Sequence, residues 1–334
     1  MKNLRKIFFP FSLIYAAITS LRNFLYDKGI KKSTTFNLPI IAVGNLSVGG
    51  TGKTPMVEYL IRLLADKNNL AVLSRGYKRK SKGFYLANDT TTIEEIGDEP
   101  FQYHSKFKNI HVAVNADRVE GVNNILSALP KTDVVLLDDA FQHRKIKAGF
   151  YIMLTAYNDL FCNDLVLPAG NLRECKSGVK RTNVVVVTKC PKDLSEAEMH
   201  QIKSKIDIDN DKIFFSKISY HHSVTNNSNE ISVADLSNDF IAVAGIAKPE
   251  YFYDYLNCNK SDCFTFPDHH FFSAQDLKNI IQKANGRKII TTEKDYMRLQ
   301  NLLPKNQLYY LPIEMDFLKD SEVFDLEIEK LIEL

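Results

Sequence analysis

Ser47-Val48-Gly49-Gly50-Thr51-Gly52-Lys53-Thr54 is the stretch on which the reading of this chain turns. Before it runs Pro39-Ile40-Ile41-Ala42-Val43, apolar and rich in β-branched residues, which predicts a buried strand. After it, Met56 to Asp66 carries apolar residues at helical spacing. Strand, glycine loop and helix in that order are the context in which a Gly-Lys-Thr loop binds phosphate. The glycines let backbone N–H groups turn inward on phosphate oxygens, and the helix N-terminus adds orphan donors and partial positive charge. All eight residues are therefore expected at a nucleoside triphosphate, with Lys53 on the β- and γ-phosphates and the Thr54 hydroxyl on Mg²⁺. Ser47 stands where such loops usually begin with glycine, so Gly49 and Gly50 are expected to supply the freedom. Pro55 falls in the first helical turn, where a missing N–H costs little.

The second signal is Thr132-Asp133-Val134-Val135-Leu136-Leu137-Asp138-Asp139. An apolar, β-branched run ending in acid is how the second Mg²⁺-binding strand of a P-loop enzyme looks. The carboxylates would then lie in the same crevice as the loop. Gln142, His143 and Arg144 follow directly and bring further polar groups there. Leu70 to Leu73 predicts another strand, running into Ser74-Arg75-Gly76-Tyr77-Lys78-Arg79-Lys80, a loop dense in cations. That loop is read either as a solvated surface or as a phosphate clamp at a strand end. Gly97-Asp98-Glu99-Pro100 reads as a helix start, with Asp98 as its cap. Val187-Thr188-Lys189-Cys190-Pro191 resembles a guanine-reading loop, but Pro191 replaces the base-reading Asp and leaves ATP as the nucleotide. Leu167-Pro168-Ala169-Gly170-Asn171-Leu172-Arg173-Glu174 is a loop ending in an acid–base pair.

Thirty-odd kilodaltons of chain with 45% hydrophobic residues suffices for one large or two smaller domains. A net charge of +3 makes no case for nucleic acid, which calls for a clustered basic face. Five cysteines without metal spacing favour a reducing compartment. The polar Asn226-Asn227-Ser228-Asn229-Glu230 marks a boundary, and further strands and helices beyond it form a smaller α/β unit. Asp268-His269-His270 in that unit lacks a third metal ligand at suitable spacing, so a catalytic or structural role is expected of the histidines. At the amino terminus Ile7 to Leu21 is almost wholly apolar, with Lys2, Arg5 and Lys6 before it and Arg22, Lys28, Lys31 and Lys32 after it. It is shorter than the roughly 20 residues that span a bilayer. Three readings stand: a helix in the membrane interface, a core helix, or a signal peptide. The absence of a small-residue cleavage site and the basic flanks fit the interfacial helix best.

Taken together, Gly44 to Pro55, Ser74 to Tyr77, Gly97 to Pro100, Asp138 to Arg144, Leu167 to Glu174, Pro267 to His270 and Thr292 to Asp295 resemble the tetraacyldisaccharide 4′-kinase (lipid A 4′-kinase) family, in that family's order and across nearly the whole chain. The resemblance implies transfer of the ATP γ-phosphoryl group, with Mg²⁺, to the 4′-hydroxyl of an acylated glucosamine disaccharide 1-phosphate. It implies Asp98 acting on that hydroxyl with His269 assisting, alongside Lys53 and Asp139 as catalytic groups. It places Arg75, Tyr77, Glu99, Arg118, His143 and Arg173 around the substrate, and Thr54, Asp138, Asp139 and Glu174 at the metal. Asn171 stands where the family pattern has Pro. The implied architecture is α/β: a mostly parallel P-loop NTPase-like sheet flanked by helices (33–220), a linker or two-stranded connection (221–236), a smaller α/β domain (237–334) and a membrane-associated helix (1–32). The expected partners are the lipid substrate and a membrane surface, at the cytoplasmic face of the inner membrane, peripheral or monotopic, with no obligate protein partner. The competing reading is a membrane-associated P-loop ATPase acting as a partner switch; a module with a degenerate loop is disfavoured by Lys53, Thr54, Asp138 and Asp139.

Overall fold

The strand ahead of the glycine loop, β1 (Ile40–Asn45), lies inside a nine-stranded sheet. The computed structural model describes residues 4–226, 228–236, 239–268 and 270–333. A 3₁₀ turn (Leu4–Phe8) leads into α1 (Phe9–Asp27) ahead of β1. After the loop come α2 (Lys53–Leu64), β2 (Leu70–Ser74), β3 (Tyr85–Leu86), α3 (Ile93–Ile96), α4 (Asp98–Lys106), β4 (His111–Val114), α5 (Arg118–Ala128) and β5 (Val134–Asp138). Then follow β6 (Phe150–Ala156), β7 (Val184–Thr188), α6 (Glu196–Lys203) and β8 (Ile213–Tyr220). The remainder is β9 (Ser223–Thr225), β10 (Glu230–Ser232), β11 (Phe240–Ala244), α7 (Glu250–Tyr255), β12 (Cys263–Thr265), α8 (Ala274–Ala284), β13 (Lys288–Thr292), α9 (Glu293–Leu299), β14 (Leu308–Leu311), β15 (Ile313–Phe317) and α10 (Ser321–Ile332).

The large sheet runs β15-β8-β7-β6-β1-β5-β2-β4-β3. Every pairing from β8 to β4 is parallel; the edge strands β15 and β3 are antiparallel. Its central strands are buried along their whole length, as a parallel sheet covered by helices on both faces requires. On one face Met56, Val57, Leu60 and Ile61 of α2 pack with Val43, Val72 and Leu136, and Phe324 and Ile328 of α10 complete that layer. On the other, Val122 and Ile125 of α5 close over Leu73, Val135 and Leu137. β1 pairs with β5 on one side and β6 on the other, so the chain changes direction there. In open α/β sheets the ligand crevice lies at such a switch point, outside the carboxyl ends of the strands.

A second sheet, β10-β9-β14-β13-β11-β12, is parallel from β14 to β12, with the β9–β10 hairpin on its edge. The expected connection at 221–236 is therefore part of the second unit. The expected 237–334 domain is corrected at its far end. Only Pro312 separates β14 from β15, and β15 pairs Ile313 to Phe317 with β8 of the large sheet. Residues 313–333 belong to the first unit, whose core they complete.

Helix α1 is polar on its inner side and apolar on its outer side. Ser12 and Thr19 are buried, whereas Phe11, Ile14, Ile18 and Leu21 are each about 60% exposed. A core helix would show the opposite arrangement. Among the described residues no helix is long and apolar enough to cross a membrane.

Candidate active site

The loop after β1 is built by close approach and by tethers. Gly44 has no room for a side chain: a Cβ there would lie 2.6 Å from the Phe141 Cβ and 2.9 Å from its backbone nitrogen. Gly49 and Gly52 take left-handed φ values of 115° and 87°, which side-chain-bearing residues rarely adopt. Asn45 Nδ2 donates to the Thr51 hydroxyl (2.9 Å), and the Thr188 hydroxyl at the end of β7 donates to the Thr51 carbonyl (2.8 Å). Val48 N–H donates to the Asn171 carbonyl (2.8 Å), and Lys189 Nζ donates to the Gly50 carbonyl (2.6 Å). Gly52 caps α2, no acidic residue occupies its first turn, and its leading N–H groups face the loop. That is an anion site by geometry and by dipole.

Both carboxylates at the end of β5 face the loop. Asp139 has a φ of 47°, unusual for a non-glycine residue and a mark of a held functional position. Lys53 Nζ lies 3.6 Å from its Oδ1, and Arg173 Nη1 donates to both of its oxygens (3.0 and 3.2 Å). Burial pushes the Asp139 carboxyl up, but Lys53 and Arg173 outweigh it and hold it below the usual range. Asp138 is buried. Its Oδ2 accepts from the Ser74 hydroxyl (3.1 Å), while its Oδ1 has no hydrogen-bond partner. Burial first, then the Asp139 charge, pushes the Asp138 carboxyl up to about 6. Tyr103 lies fully buried against Thr54, and burial and Asp138 raise its phenol well above the ordinary value.

Two of the expected site residues are held by internal partners. Glu174, expected at the metal, is wholly buried and committed elsewhere: both oxygens accept from Arg181 Nη2 (3.0 and 2.9 Å), with Asn23 and Gln142 donating as well. Arg118, expected at the substrate, is 2% exposed, and its terminal nitrogens donate to the carbonyls of Asn115, Ala116 and Asp138. It braces the end of β5, and burial lowers its guanidinium to about 10. Arg118 and His143 share a cavity of about 230 Å³ with Ala116, Asp117, Lys145 and Ile146. Burial, then Arg118 and Arg75, lowers His143 to about 4, so its imidazole is neutral at pH 7. Arg75 and Tyr77 are exposed on the cation-rich loop.

Asp98 is the first residue of α4, after the N-cap Gly97, and its carboxylate forms an ion pair with Arg298 of α9. Beside it Lys294 lies 3.9 Å from Glu99 and 3.5 Å from Asp268. His269 lies outside the described residues. His270 is structural: its Nε2 meets Asp276 Oδ2 at 3.0 Å and its ring stacks on Phe266. Among the described residues no three His, Cys, Asp or Glu side chains are arranged to hold a metal. Sequence reasoning missed Arg298, Arg181 and the Lys189 tether. Only Lys189 left a signal, in a motif read for its base specificity alone.

A lysine and threonine at a helix N-terminus, facing two strand-end carboxylates at a switch point, define a P-loop phosphotransferase. The family model for tetraacyldisaccharide-1-P 4′-kinase matches residues 4–333, and the chain belongs to that family. It is 55% identical over 334 residues to the tetraacyldisaccharide 4′-kinase of Flavobacterium johnsoniae, covering 99% of this chain and 98% of the relative. It is 52% identical to that of Flavobacterium psychrophilum, covering 100% of this chain and 98% of the relative. A crystal structure of LpxK from Aquifex aeolicus in complex with ATP superposes with a TM-score of 0.79 at 30% identity, covering 98% of this chain and 99% of that one. The protein is thus an ATP-dependent kinase with an alcohol acceptor, acting in lipid A biosynthesis.

Proposed function

We propose that the protein transfers the γ-phosphoryl group of MgATP to the 4′-hydroxyl of tetraacyldisaccharide 1-phosphate while resting on a membrane surface. The observation that carries the chemistry is the convergence of Lys53, Asp139 and Arg173 at the mouth of the glycine loop. Phosphoryl transfer asks mainly for positioning and charge neutralisation. The loop N–H groups and Lys53 hold the phosphates, and Arg173 steadies Asp139. The orphaned, buried Oδ1 of Asp138, with Asp139 next in the chain and the Thr54 hydroxyl in the first turn of α2, would supply the hard oxygen ligands that suit Mg²⁺. When bound there, the ion neutralises charge on the β- and γ-phosphate oxygens. Asp98, across the cleft, accepts the proton of the acceptor hydroxyl, with His269 as its partner. Arg75, Tyr77, Glu99 and His143 surround the headgroup.

The outward apolar face of α1 supports an interfacial seat, with Lys28, Lys31 and Lys32 exposed beyond its end for anionic lipid. That seat fits the cytoplasmic face of the inner membrane, where ATP and a lipid acceptor meet.

The test is a mass spectrum of detergent-dispersed disaccharide 1-phosphate after incubation with enzyme and MgATP. One added phosphoryl group on the distal sugar, lost in Lys53→Ala, is expected. Steady ADP release with unchanged lipid would overturn the reading in favour of an ATPase switch.

A further inference from the structure

Asp98 does not stand alone at the cleft. The Arg298 guanidinium is held between two carboxylates: Nη1 donates to Asp295 Oδ1 (3.2 Å) and Nη2 to Asp98. Asp295 is itself immobilised. It is fully buried, and its Oδ2 accepts from the Gly245 N–H at the end of β11 (2.7 Å) and from the Thr292 hydroxyl (2.7 Å). An unbroken chain of contacts therefore runs from the second sheet through Asp295 and Arg298 to the first residue of α4. Among the described residues, the other charged groups that face this point are Lys294 on α9, Asp268 on the loop after β12 and Glu99 on α4 itself. The Thr292-Glu293-Lys294-Asp295 stretch, to which the catalytic reading gives no task, is the start of the helix that makes this contact.

We infer that Arg298 is a positioning residue for phosphoryl transfer: anchored by Asp295, it aims the Asp98 carboxylate at the acceptor. This rests on Asp98 being the group that meets the acceptor hydroxyl. A guanidinium held in a fork by two acids fixes geometry as well as charge, which a lysine cannot do. The second unit thereby supplies part of the acceptor site, and docking of the two units is a condition of activity.

The experiment measures kcat and KM for both substrates from pH 4.5 to 8 in wild type, Arg298→Met, Arg298→Lys and Asp98→Asn, with thermal unfolding as a folding control. Arg298→Met should lower kcat at least tenfold, leave the KM for ATP within twofold, and move the acid limb of the lipid kcat/KM upward by about 1 pH unit, because the carboxylate has lost its opposite charge. Arg298→Lys should keep the limb near its wild-type position while still losing kcat. A uniform loss at every pH in Arg298→Met would overturn the inference and leave Arg298 as mere packing. If Arg298→Met does not fold, Arg298→Lys decides: full wild-type kcat in that variant would likewise overturn it. Wild-type turnover in Asp98→Asn would instead overturn the reading of Asp98 beneath it.

Discussion

The Tyr15 hydroxyl of α1 donates to the backbone carbonyl of Arg173 at 3.0 Å, and the Arg173 side chain in turn holds Asp139. Helix α1 thus reaches the Asp139 carboxylate through one residue. Two more contacts reach the same loop: Ala169 N–H donates to the Ser12 hydroxyl of α1 (2.9 Å), and Arg5, on the 3₁₀ turn before α1, donates to Asn171 Oδ1 (2.8 Å). The two faces of α1 should therefore separate under mutation. Ile14→Asp with Ile18→Asp on the outer face should abolish flotation with anionic vesicles and leave detergent-assayed kcat within about twofold, since surface changes away from buried contacts typically cost under about 0.5 kcal/mol. Tyr15→Phe on the inner face should leave flotation intact and lower kcat, having lost a hydrogen bond of about 1 kcal/mol. Vesicle binding retained by the double variant would contradict the interfacial seat.

Glu174 and Arg181 give a prediction about stability. Glu174 is fully buried and takes both its Arg181 bonds inside the structure, and the Arg181 guanidinium also lies 4.7 Å over the Phe141 ring. Glu174→Ala should cost about 3 kcal/mol, because it strands a guanidinium in a poorly solvated place. The Mg²⁺ dependence of the remaining activity should be unchanged. A raised Mg²⁺ requirement without loss of thermal stability would restore Glu174 to the metal site.

These corrections show what a sequence exposes. The phosphate loop and its strand and helix were legible because the motif is contiguous and its geometry local. The acid-ended strand at Asp138 was legible for the same reason. Arg298 and Asp98 meet across 200 positions, and no spacing rule reaches that far. The internal partners of Arg118 and Glu174 were not legible, because residue type does not reveal which charges are spent inside the structure. The return of the chain at Ile313 was hidden because a single proline carries it from one sheet to the other, with no polar stretch to mark the crossing.

Where α2, α4 and α9 meet, Lys106 is shared by two buried acids, at 2.7 Å from Glu58 and 2.6 Å from Glu293. Burial first, then the Glu58 charge, pushes the Glu293 carboxyl up to about 7. The folded protein then holds that proton more tightly than the unfolded chain does. Protein stability should accordingly fall as pH rises from about 4.5 through about 7, by up to about 3 kcal/mol from this group, and level off above. Glu293→Gln should flatten that slope in chemical denaturation series at pH 5.5 and 8. An unchanged slope in the variant would assign the effect to other groups.

Lys189 gives the last prediction. Its backbone is left-handed, with a φ of 58°, and this turns the side chain back from the end of β7 to the Gly50 carbonyl. Burial, then the nearby Lys248, holds its ammonium below the usual range. The bond fixes the loop at its most flexible point, between two glycines on one side and Thr51 on the other. A charge-assisted hydrogen bond of this kind is worth about 1.5 kcal/mol, or about a tenfold change in an equilibrium. Lys189→Met keeps the length of the side chain and removes the donor. It should raise the KM for ATP about tenfold and leave kcat at saturating ATP within about twofold, since the tether orders the loop before nucleotide arrives and touches none of the acceptor residues. A fall in kcat with unchanged KM would mean instead that Lys189 leaves Gly50 and meets the phosphates during transfer.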